Sequence, residues 1–317
     1  LKWLSKILPV SDKAAPATTA AAEACKNQGN AHFAKGELDS AAACYRQALS
    51  LNPDYAEACN NLGLVFRAQQ RFTEAEECLT RAISLNPGLA NAYYSLGLVC
   101  QDQGKLEQSA ANYQQALQLK PDYPEVQLSL GTAFHHLGKL VDAEQCFNRA
   151  IALRPDLTEA HLYLADNHYQ RGQLQSAIDA YRKALSIEPD HAVAHNNLGM
   201  LLRNQGRHDE AISHFNRALA LDPGYAEACN NLGLALRERN RPKEAERTRR
   251  QAIALAPNLA NAHISLGAVL QDGGRLDEAI ECFRNALAVQ PQHPVALTNL
   301  LLALNYSSRY SAEEIFR

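Results

Sequence analysis

The sequence lacks the features that mark several large classes of protein. It has one methionine, one tryptophan and 7% aromatic residues, and no apolar run approaches the roughly 18 to 20 residues that cross a bilayer. Its 31 basic and 34 acidic residues give a net charge of −3, which provides no electrostatic attraction for nucleic acid or an anionic membrane. Eight cysteines in 317 residues are too few for a disulfide scaffold. We therefore expect a cytoplasmic, intracellular protein without nucleic-acid or membrane partners.

Motifs that carry catalysis are also missing from the sequence. It contains no His-Glu-x-x-His, Cys-x-x-Cys, Gly-x-Ser-x-Gly or Gly-x-Gly-x-x-Gly, and Lys105 and Lys139 each follow a single glycine rather than a phosphate-binding loop. Seven of the eight cysteines lie at two recurring positions, 4 and 23, and Cys100 lies at position 11, which favours small buried side chains over metal ligands. We predict no catalytic residue, no metal site and no cofactor in this region.

What the sequence does have is a strict internal period. Prolines recur every 34 residues, and 34 is the period of the tetratricopeptide (TPR) helix–turn–helix unit. The prolines are Pro53, Pro87, Pro121, Pro155, Pro189, Pro223, Pro257 and Pro291. The period predicts an all-α, right-handed TPR solenoid with eight full repeats and a partial ninth. The predicted repeats are 22–55, 56–89, 90–123, 124–157, 158–191, 192–225, 226–259 and 260–293.

The two ends fall outside this array. Residues 1–21 combine an amphipathic segment at 1–8 with an Ala/Thr/Pro linker, and 294–317 begin as a ninth repeat and end in the start of a linker helix. The segment at 1–8 is interpreted as a short helix that packs on the first repeat or frays, with docking in a groove or lying on a membrane as alternatives.

Each repeated position has a mechanical reason. Counting from Ala22 as position 1, small residues recur at positions 8, 20 and 27, where the first helix (helix A) and the second (helix B) must approach closely. A large residue at position 24 fills the remaining space. Glycine ends helix A in six repeats, and Gln70 and Asn240 replace it in the other two. Proline ends helix B because its ring clashes with a continuing helix. This arrangement predicts that helix A lines the concave face.

A second, longer period is visible. The ten residues 55–64 recur identically at 225–234, five repeats later. We infer duplication of a five-repeat block. Two readings remain open at this point: the groove presents similar chemistry twice, or the copies share ancestry without sharing function.

Polar residues recur at position 6 of helix A. An asparagine amide offers a donor and an acceptor together, which suits the backbone of a peptide of any sequence. Asp102 and Asp272 at position 13 would add sites for cationic or hydroxyl side chains. Tyr163, Asp166 and Tyr169 interrupt the series, either as a specificity patch or as a lapse in it. The predicted peptide-binding residues are Asn27, Asn61, Ser95, Ser129, Asn197, Asn231, Ser265, Asn299, Asp102 and Asp272.

The asparagine-lined array resembles the N-terminal superhelix of protein O-GlcNAc transferases and the Spindly-type O-fucosyltransferases. The repeats around 226–233 are similar to theirs, and the segments 299–306 and 311–316 resemble the junction at which those enzymes leave the repeats and enter the catalytic half. The resemblance implies that Asn27, Asn61, Asn197, Asn231 and Asn299 hold a substrate backbone. It also implies a nucleotide-sugar cofactor in a catalytic half beyond these residues. Expected partners are polypeptide segments of client or substrate proteins, with a homodimer as an open alternative.

Two other functions compete with this one. A stand-alone TPR adaptor needs no enzyme. A chaperone adaptor that clamps a terminal carboxylate would use Lys26, Asn30 and Asn61, but two of its cationic positions are Asn91 and Ser95 here.

The seventh repeat carries an arginine-rich cluster, interpreted as a solvated helix back or a docking surface. The cluster is Arg237, Arg239, Arg241, Lys243, Arg247, Arg249 and Arg250.

Overall fold

The computed structural model describes residues 16–307, with side chains from residue 18 onward, and this part of the chain is entirely helical apart from its turns. None of its helices is long and apolar enough to span a bilayer. The seventeen helices of the described part confirm the all-α prediction. They are α1 (Pro16–Ala34), α2 (Leu38–Leu51), α3 (Ala56–Ala68), α4 (Phe72–Leu85), α5 (Ala90–Asp102), α6 (Leu106–Leu119), α7 (Pro124–His136), α8 (Leu140–Leu153), α9 (Thr158–Gln170), α10 (Leu174–Ile187), α11 (Ala192–Asn204), α12 (His208–Leu221), α13 (Ala226–Glu238), α14 (Pro242–Leu255), α15 (Ala260–Asp272), α16 (Leu276–Val289) and α17 (Pro294–Tyr306).

The described residues fall into two compact units, which are divided between residues 163 and 164 within α9. In the first unit, α1, α3, α5 and α7 each pack against the helix that follows, and α1, α3 and α5 also contact one another in series. In the second unit, α11, α13 and α15 pack in the same way on their successors, and α11, α13, α15 and α17 form the corresponding series. The odd-numbered helices are the predicted A helices. We call the surface that they share within one unit its helix-A face.

The turn between helix A and helix B is set by one residue with a positive φ. Gly206 has φ +75°, a conformation that glycine adopts without a steric penalty. Gln70 and Asn240 adopt φ +60° and +56°, as predicted for the two repeats without glycine there. The backbone therefore keeps its left-handed turn even where a side chain disfavours it.

The repeating proline ends helix B by acting on the residue before it. In the first repeat α2 ends at Leu51, and Asn52 has φ −138° and ψ 92°, an extended conformation. A residue that precedes proline is pushed out of the helical region by the proline ring. The same geometry recurs at Asn86 and Asp222, each directly before a proline.

Close contact between helices A and B depends on the small residues. A Cβ added to Gly199 would lie 2.7 Å from Cε1 of Phe215, the large residue at position 24. Phe215 is completely buried, as are Ala211 and Ala218 on the same helix. The large side chain at position 24 thus rests directly on the backbone of helix A.

Two features of the ends need separate comment. α1 begins at Pro16, so the described part of the predicted linker, residues 16–21, is helical. The reason is that alanine is the strongest helix former and proline is well tolerated at the first helical position. The segments 1–8 and 311–316 lie outside the described residues.

Candidate functional site

Asparagine side chains of the first unit are joined across neighbouring A helices. Asn61 of α3 donates from Nδ2 to Oδ1 of Asn30 on α1 at 2.9 Å. The same oxygen accepts a hydrogen bond from the Tyr45 hydroxyl at 2.7 Å. Asn60 donates to Oδ1 of Asn61 at 3.0 Å. The helix-A face of this unit therefore carries a connected row of amides, anchored from behind by the tyrosine at position 24.

The second unit repeats this arrangement with different residues. Asn231 of α13 donates to Oδ1 of Asn196 on α11 at 2.9 Å, and Asn196 donates to Asn197 at 3.3 Å. Asn197 in turn donates to the Tyr181 hydroxyl at 3.1 Å, and that hydroxyl donates to Asp166. Burial raises the pKa of Tyr181, and the Asp166 carboxylate raises it further, so the phenol remains a donor. Asp166 thus anchors this row of amides.

The prediction of peptide-binding residues, which followed positions 6 and 13, missed four asparagines of these rows: Asn30, Asn60, Asn196 and Asn230. Asn60 and Asn230 at position 5 are each only 6% exposed, and the Oδ1 atom of each is buried without a hydrogen-bond partner. A buried acceptor without a partner is unfavourable, and a bound donor would relieve it. Both asparagines lie in the duplicated segment, and this recurrence was the available sequence signal.

The predicted residues of position 6 differ in burial, and Asn231 is only 9% exposed. Ser95 is 3% exposed and donates its hydroxyl to the Asn91 carbonyl of its own helix at 2.8 Å. Ser129 and Ser265 are half-buried. Asn27 is exposed and Asn299 is half-buried, and the structure leaves their predicted role untested.

Each predicted position-13 aspartate is held by an arginine one repeat earlier. Arg67 of α3 donates from Nε to Asp102 of α5 at 2.6 Å, and Arg237 of α13 donates to Asp272 of α15 at 2.7 Å. The two pairs are 170 residues apart in the sequence and have the same geometry, so the duplication preserves this contact. A ligand cation at either aspartate would have to displace an arginine.

A cavity on the helix-A face of the first unit has a volume of about 740 Å³. Phe33, Leu64 and Phe72 supply its apolar lining, and the Arg67–Asp102 pair supplies its charged edge. A smaller cavity of about 150 Å³, lined by Asn30, Tyr45 and Asn61, shares Phe33 and Leu64 with it. An apolar pocket therefore adjoins the amide row.

The residues that the alternative reading as a carboxylate clamp would use are engaged with each other and with Glu57. Lys26 forms a salt bridge with Glu57 at 2.9 Å, and the hydrogen bond that its amine donates to the Glu57 carboxylate raises the pKa of Lys26. Asn30 and Asn61 are hydrogen-bonded together. A peptide carboxylate would meet a lysine that is already paired.

The arginine-rich cluster of the seventh repeat is largely neutralised. Arg239 pairs with Asp209 at 2.9 Å, Arg241 with Glu244 at 2.7 Å, and Arg250 with Glu246 at 2.9 Å. The prediction of a solvated helix back is wrong for Arg249, which has no exposed surface. Its position 24 is the one that packs between the helices, so the repeat register outweighs its charge.

Cysteines and histidines of the described part fit structural roles. Burial raises the pKa of Cys78 to about 11 and that of Cys146 to about 12, which keeps both as thiols. His195 and His214 form a hydrogen bond between their Nδ1 atoms at 2.8 Å. Among residues 16–307, no group of three or more metal-binding side chains converges.

Solved structures of TPR proteins share this fold. A chain of the APC/C hetero-tetramer Cut9–Hcn1 is 19% identical with a TM-score of 0.61; the match covers 96% of this chain and 58% of that one. The pilF protein of Pseudomonas aeruginosa is 22% identical with a TM-score of 0.61, covering 67% and 96% respectively. YrrB, described as a TPR protein with an unusual peptide-binding site, is 24% identical with a TM-score of 0.52, covering 59% and 96%. At these identities the likeness shows the fold alone.

Family comparisons extend along nearly the whole array. No curated protein matches the sequence. Tetratricopeptide-repeat family models match residues 190–258 and 260–293. The family model described as the cilia and flagella-associated protein 70 C-terminal domain matches residues 10–196, more than half of the sequence. The chain therefore belongs to this family of tetratricopeptide-repeat domains.

Proposed function

We propose that this TPR chain binds extended polypeptide along its helix-A faces and is the substrate-recognition arm of a protein O-GlcNAc transferase-like enzyme. The observation that carries the first part is the row of amides in each unit, Asn30–Asn61 and Asn196–Asn231, at the positions where neighbouring A helices meet. The second part is supported by the resemblance of residues 299–306 and 311–316 to the junction in those enzymes.

The physical basis is backbone recognition. Every peptide unit presents one donor and one acceptor, and an asparagine amide can pair with both. Neighbouring helices lie roughly 8–10 Å apart and an extended chain advances about 3.3–3.6 Å per residue, so one rung meets every third residue.

The test replaces Asn61, Asn197 and Asn231 together by alanine. The probe is a fluorescein-labelled pool of random-sequence 15-residue peptides, and binding is followed by fluorescence polarisation. Three lost hydrogen bonds predict affinity that is weaker by at least about tenfold. Circular dichroism checks that helicity is unchanged.

A matched control replaces three exposed asparagines of B helices, Asn148, Asn216 and Asn285, by alanine. This variant should bind the peptide pool like the unaltered chain. Equal affinity for both triple variants at equal helicity would refute the amide rows as the binding site.

The enzyme assignment needs its own test. The native protein is captured from its source with an antibody to the array, and its intact mass is measured. A mass tens of kilodaltons above 34.8 kDa, together with nucleotide-sugar-dependent transfer to a protein, is the expected result. A mass near 34.8 kDa would leave a TPR scaffold without an enzyme. This second candidate is supported by the family match, whose description names a protein associated with cilia and flagella.

A further inference from the structure

The duplicated block provides an internal comparison between the two units. Leu64, Arg67 and Asp102 of the first copy correspond, 170 residues later, to Leu234, Arg237 and Asp272. The apolar residues around them do not persist. Phe33, Ala68, Phe72 and Leu79 correspond to Arg203, Glu238, Pro242 and Arg249. A conserved arginine–aspartate pair thus borders an apolar pocket in the first unit and a charged site in the second.

Arg249 is the innermost residue of this charged site. Its side chain has no exposed surface, and none of its three guanidinium nitrogens has a hydrogen-bond partner. Its Cγ and Nε atoms would lie 2.8 and 3.1 Å from a Cβ added to Gly233 of α13, so the side chain crosses directly behind that helix. The guanidinium is therefore a set of buried donors without acceptors.

Other residues at position 24 show where such a side chain reaches. The hydroxyls of Tyr45 and Tyr181 donate to Asn30 and Asp166, both at position 9 of helix A. The hydroxyl of Tyr113 donates to Gln101, at position 12. In the repeat of Arg249 these two positions are Leu234 and Arg237, and neither side chain is an acceptor. An acceptor for Arg249 at these positions would therefore have to come from a ligand on the helix-A face.

The surrounding charges increase the need for an anion. Asp272 is bound by Arg237, and Glu238 lies 3.1 Å from His208 and 4.0 Å from Arg203. Nη1 of Arg203 is itself buried without a partner. Burial, with repulsion from Arg237, lowers the pKa of Arg249 to about 10, which leaves it charged at neutral pH. A buried charge without a partner is strongly destabilising.

We propose that Arg249 forms the floor of an anion-binding subsite on the helix-A face of the second unit, which takes a carboxylate or phosphate group of a bound polypeptide. Arginine presents paired N–H groups that match the oxygens of either anion. Arg203 and Arg237, at the same position of α11 and α13, carry further guanidinium donors on this face. The polypeptide part rests on the proposed function; the anion site itself does not.

The test measures thermal unfolding of the whole chain at pH 7 while sodium phosphate or sodium acetate replaces sodium chloride at constant ionic strength. The Tm of the unaltered chain should rise with anion concentration, because a ligand of the folded state stabilises it. A rise with phosphate alone assigns a phosphorylated residue, and a rise with both anions assigns a carboxylate.

Arg249→Leu introduces the residue of the first copy, Leu79. Without added anion this variant should be more stable than the unaltered chain, and its affinity for the anion should be weaker by at least about tenfold. Arg249→Phe, the residue type of Phe215 and Phe283, provides a second variant if leucine does not fold. The control Arg250→Gln removes an exposed arginine of the same helix and should keep the full response.

An equal anion-dependent rise in Arg249→Leu and the unaltered chain, or no anion-specific rise in either, would overturn the subsite. Peptide binding is measured separately with a second pair of probes. These are the random pool enriched in glutamate and the same pool with glutamine in place of glutamate. Loss of peptide binding with an intact anion response would overturn the proposed function alone.

Discussion

At the scale of single residues, Gln70 and Asn240 show a backbone requirement acting against the preference of the side chain. Both hold the left-handed turn that glycine holds in the other repeats. Asparagine adopts this conformation more readily than most residues, whereas glutamine has no such advantage.

Gln70→Gly should therefore stabilise the chain, by up to about 1 kcal/mol after the greater freedom of glycine in the unfolded chain is subtracted. Urea denaturation followed by circular dichroism measures the change. Asn240→Gly should gain less. A destabilised Gln70→Gly would mean that the glutamine side chain makes a compensating contact.

The residues that could be predicted from the sequence are those fixed by the 34-residue period. The residue at position 199 must be small because Phe215 rests on it, and a small residue recurs at this position in every repeat. The partner of Asp102 could not be predicted from the period alone, because the period does not show which side chain of the preceding repeat, here Arg67, contacts it across 35 residues of sequence. Arg249 was misplaced because its charge suggested solvent, although its register already indicated burial.

At the scale of the helix, the contact between α11 and α12 contains a pair of histidines. Nε2 of His195 donates to the Pro189 carbonyl at 3.0 Å, so its Nδ1 atom accepts from Nδ1–H of His214. Burial, together with the nearby charges of His195 and Arg182 and opposed by Glu210, lowers the pKa of His214 from 6.5 to about 4. Folding therefore disfavours protonation of His214.

The sign of the resulting pH dependence follows. The free energy of unfolding is unaffected by His214 above pH 6.5, where the side chain is neutral in both the folded and the unfolded chain. It decreases as the pH falls from 6.5 towards 4, because only the unfolded chain then binds the proton readily. Urea unfolding between pH 7 and 4.5 should show this loss. His214→Cys, which introduces the residue found at position 23 in four other repeats, should lose less stability over the same range. Identical pH profiles would remove His214 as the cause.

At the scale of the whole molecule, each repeat should owe its stability mainly to the repeats next to it. Within each unit the contacts between helices join neighbours in the chain or next neighbours. Repeat proteins of this kind behave as a sum of repeat and interface terms. Residue-level periodicity predicts this much, but it did not predict the division into two units at residue 163.

Gly63→Ala tests this local behaviour. Its Cβ would lie 2.7 Å from Cγ of Leu79 and 3.3 Å from the Ala75 carbonyl oxygen, which should cost about 1–3 kcal/mol. Hydrogen exchange should accelerate in α3 and α4 and remain slow in α15 and α16. Gly267→Ala, which meets Phe283, should give the reverse pattern. Acceleration throughout the chain in either variant would indicate global cooperativity.

The identical segments 55–64 and 225–234 also have a consequence for how the chain reaches its native state. Each opens an A helix, α3 or α13, and either could nucleate against the wrong B helix while the chain is still collapsing. Closing a loop of about 170 residues instead of about 17 costs roughly 2 kcal/mol more, which is a modest preference for the correct pairing. The contrast between Leu79 and Arg249, the residues that meet Gly63 and Gly233, adds a chemical distinction between the two pairings. The difference between Leu79 and Arg249 thus helps the refolding chain to distinguish the correct helix pairing from the wrong one, which two identical repeats could not do.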